Sequence, residues 1–291
     1  MPLILNGTLA ARALTEDLRT RMKVFSVPPK LSIIQVGALP QSTLYVEKKK
    51  QCGKDVGIDV EHIQLSDTVS FEEIERIVLS RNNDVSVSGI IVQLPLPDHL
   101  EKQRVIDCVS PEKDVDGLTT VNKQKMEEGK DDAFFPATAR GVMSLLSFYK
   151  VPIQGKSVVV LGRSDLVGKP TAFLFKRMGA EVSVCHSKTT NTKELTQKAD
   201  IVVSAVGKAH FLDVKYFGKN QIVVDVGINQ LTAELASTYP QKKIVGDVDF
   251  DAVAPHVTAI SPVPGGVGPM TVISLMENVF SSACVRLLGR T

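Results

Sequence analysis

A tyrosine and a lysine one helical turn apart are the first residues in this chain whose types and spacing could do chemistry. Tyr45 and Lys49 lie in the segment 41–57, which predicts a helix with Ser42 as its N-cap and Gly57 as its stop. At about 100° per residue, one narrow stripe of this helix holds Tyr45, Lys49, Cys52 and Val56. A lysine on a protein-facing stripe loses hydration, which lowers its pKa and suits it to proton transfer. Taken alone, however, the pair fits packing better, with Lys49 reaching solvent.

A glycine-containing turn is the second candidate. Gly162 and Gly168 lie between a predicted strand, 157–161, and a predicted helix, 171–178. Glycines in this position let the backbone approach a pyrophosphate, whose charge a helix N-terminus favours. The usual middle glycine is missing, so a tight turn without a ligand remains an alternative.

The end of the next strand indicates which dinucleotide such a turn would bind. NAD-binding domains usually carry an acidic residue about 20 residues on, which holds the ribose 2′-hydroxyl. Here the strand ends in Cys185-His186-Ser187-Lys188, with no acid. Ser187, Lys188 and Arg163 could instead bind a 2′-phosphate, so the sequence predicts NADP rather than NAD.

The elements that position these residues alternate between strands and helices. In the first half the predicted strands are 31–37, 60–65 and 89–94, and the helix 70–79 opens with a Ser70–Glu73 capping box. In the second half, β-branched strands are predicted at 157–161, 181–185, 201–205 and 222–226. A Pro-Gly cluster, 261–269, precedes a final helix, 270–288. This alternation predicts two α/β domains with parallel sheets and a boundary near 140–150.

Composition narrows the class of protein. The 291 residues carry a net charge of +2, which provides no footprint for nucleic acid. No apolar run approaches the roughly 20 residues of a membrane span, and no signal peptide is recognisable. The four cysteines lack metal-site or disulfide spacing, which favours a reducing, cytoplasmic compartment. We expect no metal site, because the histidines are scattered at His62, His99, His186, His210 and His256.

Seven segments, in order along the chain, resemble the bifunctional methylenetetrahydrofolate dehydrogenase/cyclohydrolase family, also called FolD. They are residues 45–49, 92–97, 111–117, 162–170, 185–187, 225–229 and 264–271. The resemblance implies oxidation of 5,10-methylenetetrahydrofolate with NADP⁺ and then hydrolysis to 10-formyltetrahydrofolate. It also implies a homodimer.

The resemblance assigns roles to individual residues. Lys49 resembles the catalytic lysine, Tyr45 the tyrosine that stacks on the folate, and Gln93 the glutamine that bonds the lysine. Asp116 resembles the aspartate that binds the pterin ring, whereas Asp114 is better explained by turn chemistry. Further substrate contacts are implied for Val92, Leu94, Pro264, Gly265, Gly266, Val267 and Gly268. NADP contacts are implied for Gly162, Arg163, Ser164, Gly168, Ser187 and Ile228.

The resemblance also implies how the chain is divided. Residues 1–140 would form an α/β folate-binding catalytic domain, which a C-terminal helix, 270–291, rejoins. Residues 141–269 would form a Rossmann-type NADP-binding domain, with the active site in the cleft between the domains. One departure is Ala139, where the family often has proline after Thr138; we expect function to persist.

Three other functions remain open on sequence grounds. One is a methylenetetrahydrofolate dehydrogenase without hydrolase activity, which the joint presence of Lys49, Tyr45 and Gln93 disfavours. Another is a two-domain NADP-dependent oxidoreductase of the shikimate dehydrogenase type. The last is a non-catalytic NADP-binding module.

Overall fold

The structure, a computed structural model, describes residues 1–230 and 244–288. Two stretches of the predicted organisation lie outside the described residues. They are 231–243, within the predicted NADP-binding domain, and 289–291, at the end of the predicted final helix.

The chain divides into two compact units. One contains Met1–Ala11 and Thr138–Thr271, and the other contains Arg12–Ala137 and the chain from Val272 onward. We call them the six-stranded unit and the three-stranded unit, after their main sheets.

The three-stranded unit is built on a parallel sheet. Its centre is β2 (Lys30–Val36), flanked by β3 (Asp59–Leu65) and β4 (Val87–Gln93) in the order β3-β2-β4. Six of the seven residues in both β2 and β4 are buried, as expected for apolar strands covered on both faces. The predicted strands are thus confirmed, each within two residues at its ends.

Helices connect and cover these strands. At the start of α3 (Phe71–Asn83), the hydroxyl of Ser70 accepts a hydrogen bond from the backbone N–H of Glu73 (3.2 Å). This bond confirms Ser70 as the N-cap of the predicted capping box. The helices that lie wholly in this unit are α2 (Pro40–Val56), α3 (Phe71–Asn83), α4 (Lys102–Ile106) and α5 (Thr120–Glu127). Helix α1 (Gly7–Arg21) begins in the six-stranded unit and ends here.

The six-stranded unit is a parallel α/β sheet. The strands, in their order across the sheet, are β1 (Leu3–Ile4), β11 (Ala259–Ile260), β8 (Ile222–Asp225), β7 (Ile201–Ser204), β5 (Ser157–Leu161) and β6 (Glu181–Cys185). From β5 the chain passes to β6 on one side and then to β7 on the other, so the strand order reverses between β5 and β7. Ligands of doubly wound sheets bind at such a switch point, beyond the carboxyl ends of the strands. The inner strands β8, β7 and β5 and the edge strand β6 confirm the predicted series.

The remaining elements of this unit complete the sheet and cover it. A short antiparallel pair joins β9 (Asn229–Gln230) to β10 (Ile244–Val245). The helices are α6 (Ala137–Phe148), α7 (Gly168–Arg177), α8 (Thr192–Lys198) and α9 (Phe250–Val253). Helix α6 belongs to this unit from Thr138 onward.

The N-terminal segment departs from the predicted domain division. Residues 1–11 were expected in the folate-binding domain. Instead, β1 (Leu3–Ile4) pairs in parallel with β11 (Ala259–Ile260) at the edge of the six-stranded sheet. Two strand residues carry no periodicity, so the sequence offered no signal for this edge pairing.

The last helix, α10 (Val267–Leu288), starts in the six-stranded unit, and its residues from Val272 on belong to the three-stranded unit. Buried polar side chains hold it there. The Asn278 amide donates to the carbonyls of Val115 (2.7 Å) and Phe135 (3.0 Å), and the Ser282 hydroxyl donates to that of Ser88 (2.6 Å). These bonds satisfy backbone acceptors that would otherwise be buried without partners.

Candidate active site

Helix α2 begins two residues before the predicted cap. Pro40 occupies the first turn, where its fixed φ suits the helix and its missing N–H removes no bond. Ser42 is therefore not an N-cap, which corrects the prediction. Its buried hydroxyl instead donates to the carbonyl of Leu94 at 3.4 Å. Gly57 ends the helix in the left-handed conformation (φ +90°), which confirms the predicted stop.

The buried face of α2 is rotated from the predicted stripe. Its fully buried positions are Ser42, Val46, Gly53 and Val56. Tyr45 and Cys52 flank this row and are half-buried, and burial raises the pKa of both side chains. Lys49, one turn after Val46, remains on the inward side. The hydrophobic pattern was ambiguous here because Ser42 and Gly53 are buried without being strongly apolar.

Lys49 reaches the end of strand β4. Its ammonium Nζ lies 2.8 Å from Oε1 of Gln93, the last residue of the strand. The Gln93 amide Nε2 donates to the carbonyl of Leu94 (2.8 Å), which leaves Oε1 to accept from the lysine. An amide oxygen can accept a hydrogen bond from either a neutral amine or an ammonium group. This contact therefore orients Lys49 without requiring it to be charged.

Asp116 is the charged neighbour of Lys49. Burial lowers the pKa of Lys49, and the negative charge of Asp116 opposes that shift. Burial raises the pKa of Asp116, while Lys49 lowers it and Asp114 raises it further. Desolvation is the largest influence on both groups, and in Lys49 it favours the neutral amine, which is the form that can accept a proton.

The loop that presents Asp116 is held by its neighbours. Asp114, 3% exposed, accepts hydrogen bonds from the backbone of Leu118 and Thr119, from the Thr119 hydroxyl and from the Asn122 amide, all between 2.7 and 3.1 Å. Gly117 has φ +66°, and a Cβ there would lie 2.4 Å from the carbonyl of Phe134. Asp114 is thus a turn residue, as expected.

In the six-stranded unit, the glycine turn forms a close-packed cradle. Gly162 follows β5 with φ +113°, and a Cβ at this position would lie 2.3 Å from the carbonyl of Ala205. Gly168 begins α7, three residues before the predicted start, and a Cβ there would lie 2.3 Å from the carbonyl of Gly162. Arg163 and Ser164 are exposed between them. A backbone this close to a helix N-terminus suits a diphosphate.

A cavity of about 500 Å³ opens beside this turn, at the carboxyl ends of β5, β6 and β7. Gly162 and Ser187, two of the six residues assigned to the cofactor, line it. The other lining residues were not singled out for this role: Leu161, Cys185, His186, Thr189, Thr190, Asn191, Thr192, Lys193, Glu194, Val206, Lys208, Phe211 and Tyr216. The volume and the polar rim fit the adenosine part of a dinucleotide.

Comparison with known proteins assigns the chain to a family. Residues 5–116 match the catalytic domain of tetrahydrofolate dehydrogenase/cyclohydrolase, and residues 136–287 match its NAD(P)-binding domain. The chain belongs to the tetrahydrofolate dehydrogenase/cyclohydrolase family. The NAD(P)-binding match runs through most of α10, although Val272 and later residues pack in the three-stranded unit.

Individual relatives cover almost the whole chain. Bifunctional protein FolD of Methanoculleus marisnigri is 42% identical over 287 residues, which cover 99% of this chain and 98% of the relative. The crystal structure of the bifunctional FolD enzyme from Campylobacter jejuni has a TM-score of 0.92, 37% identity and coverage of 98% and 100%. Trypanosoma brucei FolD, complexed with NADP cofactor and an inhibitor, has a TM-score of 0.91, 34% identity and 98% coverage of both chains.

Against this family background, the structure brings some of the expected residues together. Lys49, Gln93 and Asp116 form one cluster in the three-stranded unit, and Tyr45 lies one turn before Lys49. Leu94 orients Gln93 through its carbonyl. The side chain of Val92, by contrast, is buried in the hydrophobic core, so only its backbone is placed for a substrate contact.

The remaining expected residues lie in the six-stranded unit. The segment 264–268, whose last two residues begin α10, is anchored there, because the N–H groups of Gly7 and Thr8 donate to the carbonyl of Gly265 at 2.8 and 3.1 Å. Ile228, 48% exposed, follows the end of β8.

Across residues 1–230 and 244–288, no three histidine, cysteine or acidic side chains cluster as ligands for a metal ion. Within the same residues, no helix is both long and apolar enough to cross a membrane.

Proposed function

We propose that this chain oxidises 5,10-methylenetetrahydrofolate with NADP⁺ and then hydrolyses the 5,10-methenyl product to 10-formyltetrahydrofolate. The observation that carries the proposal is the cluster of Lys49, Gln93 and Asp116 in a member of the tetrahydrofolate dehydrogenase/cyclohydrolase family. A dehydrogenase without hydrolase activity would not need a desolvated lysine held by an amide.

The first step requires the folate to be held and oriented. Bound NADP⁺ supplies the acceptor for the hydride that leaves the methylene bridge. A folate nitrogen stabilises the cation left behind, so positioning is the main task of the protein. We assign Asp116 to the amino-pyrimidinone edge of the pterin, because a buried carboxylate can accept two parallel N–H bonds. Tyr45 supplies an aromatic face on the adjacent turn of α2.

The second step requires a proton acceptor. A water oxygen forms a bond to the methenyl carbon, and its proton moves to the neutral amine of Lys49. The oxygen of the resulting hydroxyl then forms the C=O bond of the formyl group as the bond from that carbon to the ring nitrogen N5 breaks. The hydroxyl proton passes to N5, which leaves 10-formyltetrahydrofolate and the proton already taken by Lys49. Gln93 keeps the lysine in place through both protonation states, because its Oε1 accepts an N–H in either state.

Arg163 and Ser187 are assigned to the 2′-phosphate of NADP. We expect Arg163→Ala to raise the KM for NADP⁺ about tenfold, because a charge-assisted hydrogen bond is lost. The KM for NAD⁺, which lacks the phosphate, should stay the same. Initial rates with each dinucleotide measure the effect.

The matched control for this variant is Lys176→Ala, which removes an exposed cation near the other end of α7. It should leave both KM values unchanged. An equal rise for NADP⁺ and NAD⁺ in Arg163→Ala would contradict the assignment, because it would place the guanidinium on a group that both dinucleotides share.

Assembly and location are part of the proposal. A homodimer is proposed from the family resemblance, and sedimentation at twice the single-chain mass of 31.6 kDa would support it. A cytoplasmic location is proposed because all four cysteines are free thiols, as a reducing compartment maintains them.

The direct test is an assay of the two steps on the purified chain. NADPH fluorescence after mixing with 5,10-methylenetetrahydrofolate and NADP⁺ measures the first step. Loss of absorbance of added 5,10-methenyltetrahydrofolate, with no dinucleotide present, measures the second. Tight NADP binding without either signal would reject the proposal and favour a non-catalytic module.

A further inference from the structure

Two buried aspartates lie beside each other in the six-stranded unit, outside the folate cluster. Asp225 ends β8, and Asp247 follows β10; they are 3% and 0% exposed. The backbone N–H of Asp247 donates to Oδ1 of Asp225 at 3.1 Å. Burial of an acidic side chain destabilises the folded state unless hydrogen-bond donors surround it, so the donors around these two indicate what each side chain holds in place.

Asp247 accepts hydrogen bonds from five donors. The backbone N–H groups of Val206, Gly207 and Lys208 donate to its carboxylate at 2.7, 3.2 and 2.9 Å. The Ser204 hydroxyl and the Asn229 amide also donate to it, each at 2.9 Å. One carboxylate therefore joins the end of β7, the loop after it and the start of β9.

These partners belong to the walls of the dinucleotide site. Val206 and Lys208 line the 500 Å³ cavity beside the glycine turn. Asn229 directly follows Ile228, which is assigned to the cofactor. Gly207, in the middle of the loop 206–208, has φ +71°, a left-handed conformation that glycine adopts without steric conflict.

Asp225 holds the turn 227–229, which contains Ile228 and Asn229. Its Oδ1 accepts the N–H of Gly227 at 2.9 Å, and its Oδ2 accepts the N–H of Val248 at 2.9 Å. The space is tight, since a Cβ at Gly227 would lie 2.2 Å from Oδ1 of Asp247. Burial raises the pKa of Asp225 to about 7, and the charge of Asp247 acts in the same direction. Asp225 thus holds the residues after β8 and β10, whereas Asp247 holds the cavity loop 206–208.

We propose that Asp247 is a positioning residue for dinucleotide binding, whose carboxylate fixes the loop 206–208 and the turn 227–229 in the shape that receives NADP. This inference rests on the proposed function. It adds to the dinucleotide site a residue that lies outside the folate cluster of Lys49, Gln93 and Asp116. Pre-organisation of this kind acts on affinity, because ordering a loop at the moment of binding reduces the free energy gained.

The test is Asp247→Asn in the full chain. An amide of the same shape turns one acceptor into a donor that faces backbone N–H groups. We expect the calorimetric Kd and the KM for NADP⁺ to rise about 10- to 100-fold, with a smaller change in kcat. Hydrolysis of added 5,10-methenyltetrahydrofolate needs no dinucleotide, so its kcat/KM should match that of the wild type.

Asp249→Asn is the matched control. Asp249 lies two residues on and caps α9, a position where asparagine serves equally well, so NADP affinity should be unchanged. An unchanged Kd in Asp247→Asn, or equal losses of NADP binding and of hydrolysis in the folded variant, would overturn the proposal.

A variant that disturbs the structure less serves as the test if Asp247→Asn does not fold. Ser204→Ala removes one of the five donors, and we expect the Kd for NADP⁺ to rise about fivefold. An unchanged Kd there would overturn the proposal. Failure of the proposed function itself is separate, because it would show in the wild type as no turnover of either folate.

Discussion

Replacing Lys49 with methionine should abolish the hydrolysis of 5,10-methenyltetrahydrofolate and spare part of the NADP-dependent oxidation. Methionine has nearly the same length but cannot accept a proton. General acid–base groups contribute about 10²- to 10⁴-fold to rate, so hydrolysis should fall by at least about 10²-fold. The hydride step needs no proton acceptor and depends mainly on orientation. Stopped assays of the two reactions, run separately, measure the split.

The control for this variant is Lys54→Met, in the last turn of α2, where the side chain is exposed. It should leave both rates unchanged. Full hydrolysis in Lys49→Met would exclude Lys49 from the role, whatever its distance from Gln93.

The pH profile provides a second signature of the same lysine. Burial lowers the pKa of Lys49, so the neutral amine becomes populated at a lower pH than for an exposed lysine. Hydrolysis should therefore rise as pH increases through this lowered pKa and then level off. Lys49→Arg keeps its charge at every accessible pH and should show no such rise.

Replacing Asp116 with asparagine should raise the KM for both folates by about 10²-fold. The carboxylate is assigned two N–H bonds from the pterin, and an amide can accept only one of them while presenting a donor to the other. Because the assigned contact is made in both reactions, the two KM values should rise together. Initial rates over a wide range of folate concentration measure the change.

The same variant should also shift the pKa of Lys49. The negative charge of Asp116 raises the pKa of Lys49, so its removal lowers that pKa further. The pH at which residual hydrolysis rises should therefore shift in the acid direction. A shift in the alkaline direction, or none, would contradict the electrostatic pairing.

Asp114→Asn is the contrasting variant. Asp114 accepts hydrogen bonds from Leu118, Thr119 and Asn122, so its loss should lower the melting temperature. It should not shift the pH profile of hydrolysis in the way that the Asp116 variant does, because Asp114 holds the loop rather than facing the lysine.

Much of the fold could be predicted because its signals are local. Most strands of the two sheets are apolar runs bounded by glycine and polar turns, and the Ser70 cap of α3 and the Gly57 stop of α2 are likewise local signals. The glycine turn could be recognised because its spacing between strand and helix is itself the functional feature. Errors occurred where the signal was weak: at Ser42, where Pro40 starts the helix earlier, and at Leu3–Ile4, a strand too short to have a period.

The contact between Lys49 and Gln93 could not be predicted from helical periodicity. Helical phase separated Lys49 from its lysine neighbours, but it could not show what the amine touches. Gln93 lies 44 residues away, and only the packing of α2 beside the end of β4 brings the two side chains within 2.8 Å. Residues that meet across a fold need no common spacing in the chain.

The sequence alone determined the residue types, the α/β class and the family, since these depend on composition, periodicity and motif order. The tertiary structure decided which charges are buried and what they hold. Asp247 is the clearest case, because its donors lie between 18 and 43 residues away and no motif joins them. Desolvation and hydrogen-bond geometry exist only after the chain has folded, and these two properties turn a lysine into a base and an aspartate into the support of a loop.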